Sequence, residues 1–267
     1  MSLVFLSEFQ QKQCQEFLEK GYTVFDLEKM DNLYQIKKMM VEFVQEKYKG
    51  LIPDAEKDFF NQAHKYLAPE ELNDFRVNMI SFLTGSMEVK RLVYEMGKET
   101  LGNLVGNELA MQRGINLSIQ FPKDDESLLP LHSDVWSGNS PYEVVFWLPL
   151  VDCFKTKSMF VLDRTKSQKV FSEFSRYSDL TAEELFQEIK PDLEWLTVPE
   201  GKGIIFSHSI LHGNRINEED TTRWTFNIRF KSLLSPYAQK ELGETFIPLN
   251  VKPVTRVGYE YIKPNVN

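Results

Sequence analysis

Trp224-Thr225-Phe226-Asn227-Ile228-Arg229-Phe230 alternates without a break. Trp224, Phe226, Ile228 and Phe230 would share one face of a strand; Thr225, Asn227 and Arg229, with Arg223 before them, would share the other. A strand on the outside of the molecule, its polar face in water, gives that pattern. A strand whose polar face lines a wet internal cavity gives it equally well. Residues 115–121 repeat the arrangement, Asn116, Ser118 and Gln120 alternating with Ile115, Leu117, Ile119 and Phe121. Two such strands, both near the candidate ligands described below, favour the cavity.

Around this stretch, from Met111 to Phe230, the chain reads as short strands at 115–121, 144–150, 158–162, 195–198, 203–207 and 224–230. Turn clusters such as Pro122-Lys123-Asp124-Asp125 and Ser137-Gly138-Asn139-Ser140-Pro141 separate them. A helical insertion interrupts the series, with Thr181 and Glu184 forming a capping box. Many short strands predict a sandwich or barrel, here a double-stranded β-helix of the jelly-roll or cupin-like kind flanked by helices. Upstream the periodicity is helical. Ser7 with Gln10 is a capping-box start, Phe9, Cys14, Phe17 and Leu18 can share a face, and Gly21 ends the helix. Tyr22-Thr23-Val24-Phe25 is β-like. Leu33, Ile36, Met40, Phe43, Val44 and Tyr48 predict a second amphipathic helix. Pro69-Glu70-Glu71 reads as a first helical turn, and Ser86 starts a helix with Val89, Leu92, Val93 and Met96 on one side. The fold class is mainly β with a helical N-terminal part, in one domain over 1–267. Its parts are a helical segment at 1–105, a jelly-roll core at 106–232 with an insertion at 167–200, and a wrapping tail at 233–267 carrying Pro236, Pro248, Pro253 and Pro264.

A chain of 267 residues buries a substantial core. The net charge of −8, without a long Lys/Arg run, argues against a nucleic-acid partner. Cys14 and Cys153 have no metal-binding spacing and make no disulfide framework, which points to a reducing cytoplasm. The apolar start Leu3-Val4-Phe5-Leu6 is too short for a signal-peptide core, and no stretch suits a bilayer, so no membrane partner is expected.

His132-Ser133-Asp134 carries the chemistry. On a strand, residues i and i+2 point the same way, as two ligands of one ion must. Alone, the pair could be a surface turn; short motifs often arise by chance. Its place just before a turn and the apolar 144–150 run lets both side chains face a barrel mouth. The third ligand is His208 or His212, which share strand parity; His64, in the helical region, reads as an ordinary packing residue. Gly213 directly after His212 would let the backbone turn sharply away, which favours His212. His208 is then a satisfied core residue, or a group supporting a ligand or facing substrate. Two imidazoles and a carboxylate form the facial triad of non-haem Fe(II) oxygenases. Arg223 adds a fixed cationic fork suited to a carboxylate.

At these residues the chain resembles the phytanoyl-CoA dioxygenase-like branch of the Fe(II)/2-oxoglutarate oxygenases, over roughly 9–231. The family pattern of H-x-D, a distal His, and Arg eleven residues later is matched by His132, Asp134, His212 and Arg223. Trp147 stands where family members present a tryptophan to the keto acid. Phe17-Leu18-Glu19-Lys20-Gly21-Tyr22-Thr23-Val24 is similar to their opening helix and strand. Leu131–Gly138, with Phe146-Trp147-Leu148-Pro149-Leu150-Val151-Asp152, looks like a bacterial subgroup from carbohydrate biosynthesis clusters. Lys157-Ser158 departs from the family's Asn-Gly.

The resemblance implies a dioxygenase with Fe(II) on His132, Asp134 and His212, and with 2-oxoglutarate and O2 as cosubstrates. The far carboxylate of 2-oxoglutarate would meet Arg223 and Thr225, flanked by Trp147 and Gln120. Related halogenases replace the carboxylate ligand with a small residue, so Asp134 implies hydroxylation or a similar oxidation. The expected substrate is a small molecule, a sugar or sugar nucleotide, with Trp136, Asn227 and Arg229 as candidate contacts by face and position. Two other classes remain open. One is a cupin-like Zn or Mn enzyme using His208 and His212 without 2-oxoglutarate; the other is a non-catalytic binding module.

Overall fold

Ser7 starts the first helix, α1 (Glu8–Lys20), accepting a hydrogen bond from the Gln10 N–H while Gln10 Oε1 accepts from the Ser7 N–H. Gly21 ends it in the left-handed region, at φ 82°. These residues belong to a computed structural model that describes 5–52 and 58–263; Leu3 and Val4 of the apolar start, and Pro264, lie outside the described residues. The expected apolar face of α1 is only partly realised. Phe9 and Leu18 are exposed and Gln13 is buried instead, its amide bonded to Thr100 and Asn103. Strand β1 (Tyr22–Asp26) follows, then α2 (Met30–Lys47), which buries Leu33, Ile36, Met40 and Val44. After α3 (Phe59–Gln62), the Pro69–Glu71 segment forms a 3-10 turn, not an α turn, and leads into α4 (Leu72–Gly85). Ser86 caps α5 (Met87–Met96) by accepting from the Val89 N–H, and α6 (Lys98–Leu104) completes this part.

The strands then come in quick succession: β2 (Leu109–Gln112), β3 (Asn116–Gln120), β4 (Glu143–Pro149) and β5 (Phe160–Val161). Helices α7 (Arg164–Ser172) and α8 (Ala182–Ile189) intervene, α8 behind the Thr181–Glu184 capping box. They are followed by β6 (Glu194–Trp195), β7 (Lys202–Ser207), β8 (His212–Gly213), β9 (Arg223–Ser232), β10 (Phe246–Pro248) and α9 (Pro253–Tyr259). The larger sheet runs β1-β7-β4-β9-β2-β10, with β3 also on β9; the smaller runs β6-β5-β8. Every strand pair in both is antiparallel. The result is a mixed architecture of helices and antiparallel sheet.

Strand β9 organises the larger sheet. It pairs with β4 along one edge; along the other, β3 takes its first half (Gln120 opposite Arg223) and β2 its second (Met111 opposite Phe230). Its greasy face is fully buried: Trp224, Phe226, Ile228 and Phe230 are all 0% exposed. Trp224 meets the rings of Phe59, Phe60 and Phe75, so this face packs on α3 and α4. On the opposite face Arg223 and Thr225 are buried as well. The alternation is therefore not that of a solvated outer strand. Trp224→Ala should cost about 3–5 kcal/mol of stability, read from urea denaturation, because the helices cannot follow the lost indole inward.

Three elements differ from expectation. The 158–162 and 195–198 runs shorten to two-residue strands, in which Phe160 pairs with both Trp195 and Gly213. Strand β6 lies inside the region read as an insertion, so the end of that region belongs to the smaller sheet. In the tail, β10 pairs with β2 and extends the larger sheet rather than simply wrapping it.

Candidate metal centre

His132 and His212 are brought together by backbone pairing. Each N–H donates to the other's carbonyl, at 3.0 and 2.9 Å, an antiparallel bridge on the edge of the smaller sheet. Their rings lie 4.3 Å apart between centroids. The Nδ1 of His132 is 2.8 Å from the Pro130 carbonyl, and that of His212 is 3.1 Å from the Ile210 carbonyl. A carbonyl can only accept, so each Nδ1 carries the proton and each Nε2 presents a lone pair. Gly213 does not serve the sharp turn expected of it; it is extended strand. A Cβ there would meet the Leu129 carbonyl oxygen at 2.7 Å and Phe160 at 2.8 Å, so glycine lets the 129–132 segment approach.

Asp134 opens a 3-10 turn over Asp134–Ser137. Ser133 Oγ donates to the His208 carbonyl, and the Asp134 carbonyl accepts from Asn139, which fixes the turn on both sides. Asp134 Oδ2 lies 3.8 Å from His212 Nε2. One donor atom from each of His132, Asp134 and His212 falls within 4.8 Å of the others, and among the described residues no other such group occurs. Burial alone would raise the Asp134 pKa, yet His212, His208, Arg229 and His132 bring it down to about 2. Burial, with His132 adding to it, lowers His212 to about 4. A carboxylate with neutral imidazole is the protonation state a divalent cation requires. The donor set, its spacing and its charge all fit such an ion.

Arg229 lines the cavity described below and also supports a ligand. Placed among substrate contacts by its face, it is engaged with Asp134: Nη2 is 3.2 Å from Oδ1, and Nη1 reaches Gln112 at 3.3 Å. That ion pair occupies Oδ1 and leaves Oδ2 toward the imidazoles. Arg229→Gln should weaken Ni(II) affinity about 10–100-fold in calorimetry, the usual cost of losing support behind a ligand. An unchanged affinity would make the pair incidental.

His208 is fully buried, and neither ring nitrogen has a hydrogen-bond partner. Nε2 is 3.8 Å from Asp134 Oδ2 and Nδ1 is 3.5 Å from Glu143 Oε2. It is not the satisfied core residue anticipated as one of its readings. Burial drives its pKa down to about 3. His64 lies elsewhere, with Nδ1 2.9 Å from the Thr222 hydroxyl.

Arg223 begins β9 and is only 3% exposed. One Nη reaches the Ser118 hydroxyl at 3.1 Å, the other the Ser158 carbonyl at 3.4 Å, and Nε has no partner. No carboxylate pairs with it among the described residues. Burial lowers its pKa to about 10, which still leaves it charged at neutral pH. The guanidinium faces a narrow recess of about 40 Å³, shared with Ser118, Trp147, Met159, His212 and Thr225. That is close to the roughly 30 Å³ one water occupies in the liquid, so the recess suits a small group such as a carboxylate. Lys157, one of the two residues that depart from the pattern the sequence resembles, is buried and donates to Asn61 and Thr221, tying α3 to the segment just before β9.

The recess shares Ser118, Leu129, Phe206, His212 and Asn227 with a cavity of about 430 Å³, which also holds His132, Asp134 and Arg229. Asn227 thus lies between the two. Gln120 lines neither: its amide donates to the Arg215 carbonyl at 2.9 Å and secures the strand end. Trp136, expected at the substrate, is 45% exposed and packs edge-on against Phe171 and Phe174 beside α7. Arg76, on α4, also lines the cavity and went unnoticed in the sequence. No motif marks it; α4 packing beside β3 brings it there. A larger cavity of about 860 Å³ lies between α1 and β1, but it holds no imidazole and several acids, and lacks the makings of a ligand set.

No family model matches the chain, and no curated protein matches it. Solved structures do. The non-heme monooxygenase ThoJ in its apo form superposes with a TM-score of 0.59 at 13% identity, over 90% of this chain and 84% of that one. HygX from Streptomyces hygroscopicus, with nickel and 2-oxoglutarate bound, gives 0.51 at 12% identity, over 87% and 89%. SnoK, a non-heme alpha ketoglutarate dependent carbocyclase from nogalamycin biosynthesis, gives 0.50 at 17% identity, over 94% and 99%. At such identities the likeness is one of fold: this chain has the fold of non-haem enzymes of that kind.

Proposed function

We propose that this protein is an Fe(II)- and 2-oxoglutarate-dependent oxygenase, a double-stranded β-helix of the phytanoyl-CoA dioxygenase-like branch that hydroxylates a small molecule. The carrying observation is Arg223. A buried guanidinium without a counter-charge costs several kcal/mol, roughly, unless a ligand supplies the anion. It opens on the same recess as His212, so an acid bound to it would reach the metal centre with its other end. That is the geometry a chelating keto acid needs. Bound there, iron and 2-oxoglutarate would supply dioxygen-dependent oxidation of a C–H bond, with release of succinate and CO2.

The protein's own residues hold and exclude. His132 and His212 offer Nε2 and Asp134 offers Oδ2 to the ion. Arg223, with the Ser118 and Thr225 hydroxyls close by, would take the distal carboxylate. Trp147, Met159, Leu129 and Phe206 supply the apolar walls of the recess. Asp134 keeps the carboxylate position filled, which supports hydroxylation over halide transfer. The polar lining of Asn116, Ser127 and Asn227 supports a sugar or sugar nucleotide as substrate. No described helix is long and apolar enough to cross a membrane, and both cysteines are free; the free thiols support a cytoplasmic setting. A cupin-like centre on His208 and His212 would leave Arg223 without a task.

Anaerobic addition of Fe(II) and 2-oxoglutarate should produce a weak visible charge-transfer band. Succinate should then form in air, faster with the right member of a panel of sugar nucleotides and small metabolites. Absence of the band would overturn the assignment.

A further inference from the structure

We infer that the site takes a sugar carrying an anionic group, phosphate or carboxylate, and that Arg76 at the cavity wall binds that group. The inference rests on the oxygenase reading above and names its substrate class.

Four charged side chains line the 430 Å³ cavity: Arg76, Glu126, Asp134 and Arg229. Two are committed to each other, Arg229 and Asp134 at 3.2 Å. Arg76 is not committed. Its guanidinium donates to Asn73 Oδ1 at 2.8 Å, and no carboxylate among the described residues forms an ion pair with it. Glu126, exposed on the same cavity, is not joined to it. Two guanidiniums therefore border these connected cavities without a carboxylate partner: Arg223 in the recess and Arg76 in the wider space. Arg76 is only half-buried, so water shares in solvating its charge; what marks it is its place on the cavity wall with no carboxylate joined to it.

A neutral sugar would need only the amides of Asn116 and Asn227 and the hydroxyls present. A free planar fork with several donors is instead matched to a phosphate or carboxylate. The volume, within the roughly 300–1,000 Å³ of small-molecule sites, accommodates a monosaccharide with such a group.

The test uses the whole protein loaded anaerobically with Fe(II) and 2-oxoglutarate, titrated calorimetrically with glucose 1-phosphate, glucuronate and glucose. One of the two anions should bind at least about tenfold more tightly than glucose, as expected for a charge-assisted contact. Arg76→Gln should erase that preference while leaving the charge-transfer band intact; Arg76→Lys should keep most of it. Preference for glucose 1-phosphate identifies a phosphate group, and preference for glucuronate a carboxylate. Equal affinities, no binding by any of the three, or a preference that survives Arg76→Gln would overturn the inference. Failure of the wild-type band would overturn the oxygenase reading instead, so the two failures are separable.

Discussion

With Arg223 replaced by Met, the protein should lose 2-oxoglutarate and keep its metal. The KM for 2-oxoglutarate should rise at least about thirtyfold, the lower end of what truncating a buried charge partner costs, roughly 2–5 kcal/mol. Ni(II) should still raise the melting temperature, whereas the further rise given by 2-oxoglutarate should vanish. The apo protein has a different expectation. Arg223 is buried with Nε unpartnered and no counter-charge, so a hydrophobic side chain of similar length should leave stability equal or higher. A variant less stable as apo protein but unchanged in KM would show that the guanidinium serves the fold and not a ligand.

The second large effect separates His212 from His208. His212→Ala should abolish the Ni(II)-induced rise in melting temperature and reduce turnover by more than the roughly 10–100-fold typical of residues that merely support a ligand. His208→Leu should do neither. Both nitrogens of His208 are buried without partners, so an apolar replacement removes an unsatisfied group and should leave stability equal or higher. If His208→Leu instead removed the metal response, a cupin-like centre using both imidazoles would be the better account.

How much of this was legible depended on whether the signal was local. Helix starts at Ser7 and Thr181 were readable because a cap and its partner sit three residues apart, and the start at Ser86 because an apolar face follows it. Alternation identified β3 and β9, and continuous apolar runs identified β4 and β7, each long enough to carry its own signal. The two-residue β8 and the tail strand β10 were not, since they exist through pairing with distant residues and have no pattern of their own. In the site, the H-x-D spacing and the later His and Arg located four side chains whose positions converge. Trp136 and Gln120 were placed by neighbourhood and parity alone; one turned to the Phe171–Phe174 cluster, the other to the Arg215 carbonyl. Arg229 faced the predicted way, but its ion pair with Asp134 could not be read from sequence. Arg76 was invisible because only helix packing brings it to the cavity.

The bridge joining His132 to His212 spans an excursion of about 80 residues containing β4, β5, α7, α8, β6 and β7. An ion gripping both imidazoles would act as a removable staple across that excursion, since closing so long a loop carries an entropic cost that each extra bond at its neck helps offset. Loading the protein would thus raise the stability of the whole span against unfolding, and stripping it would lower that stability.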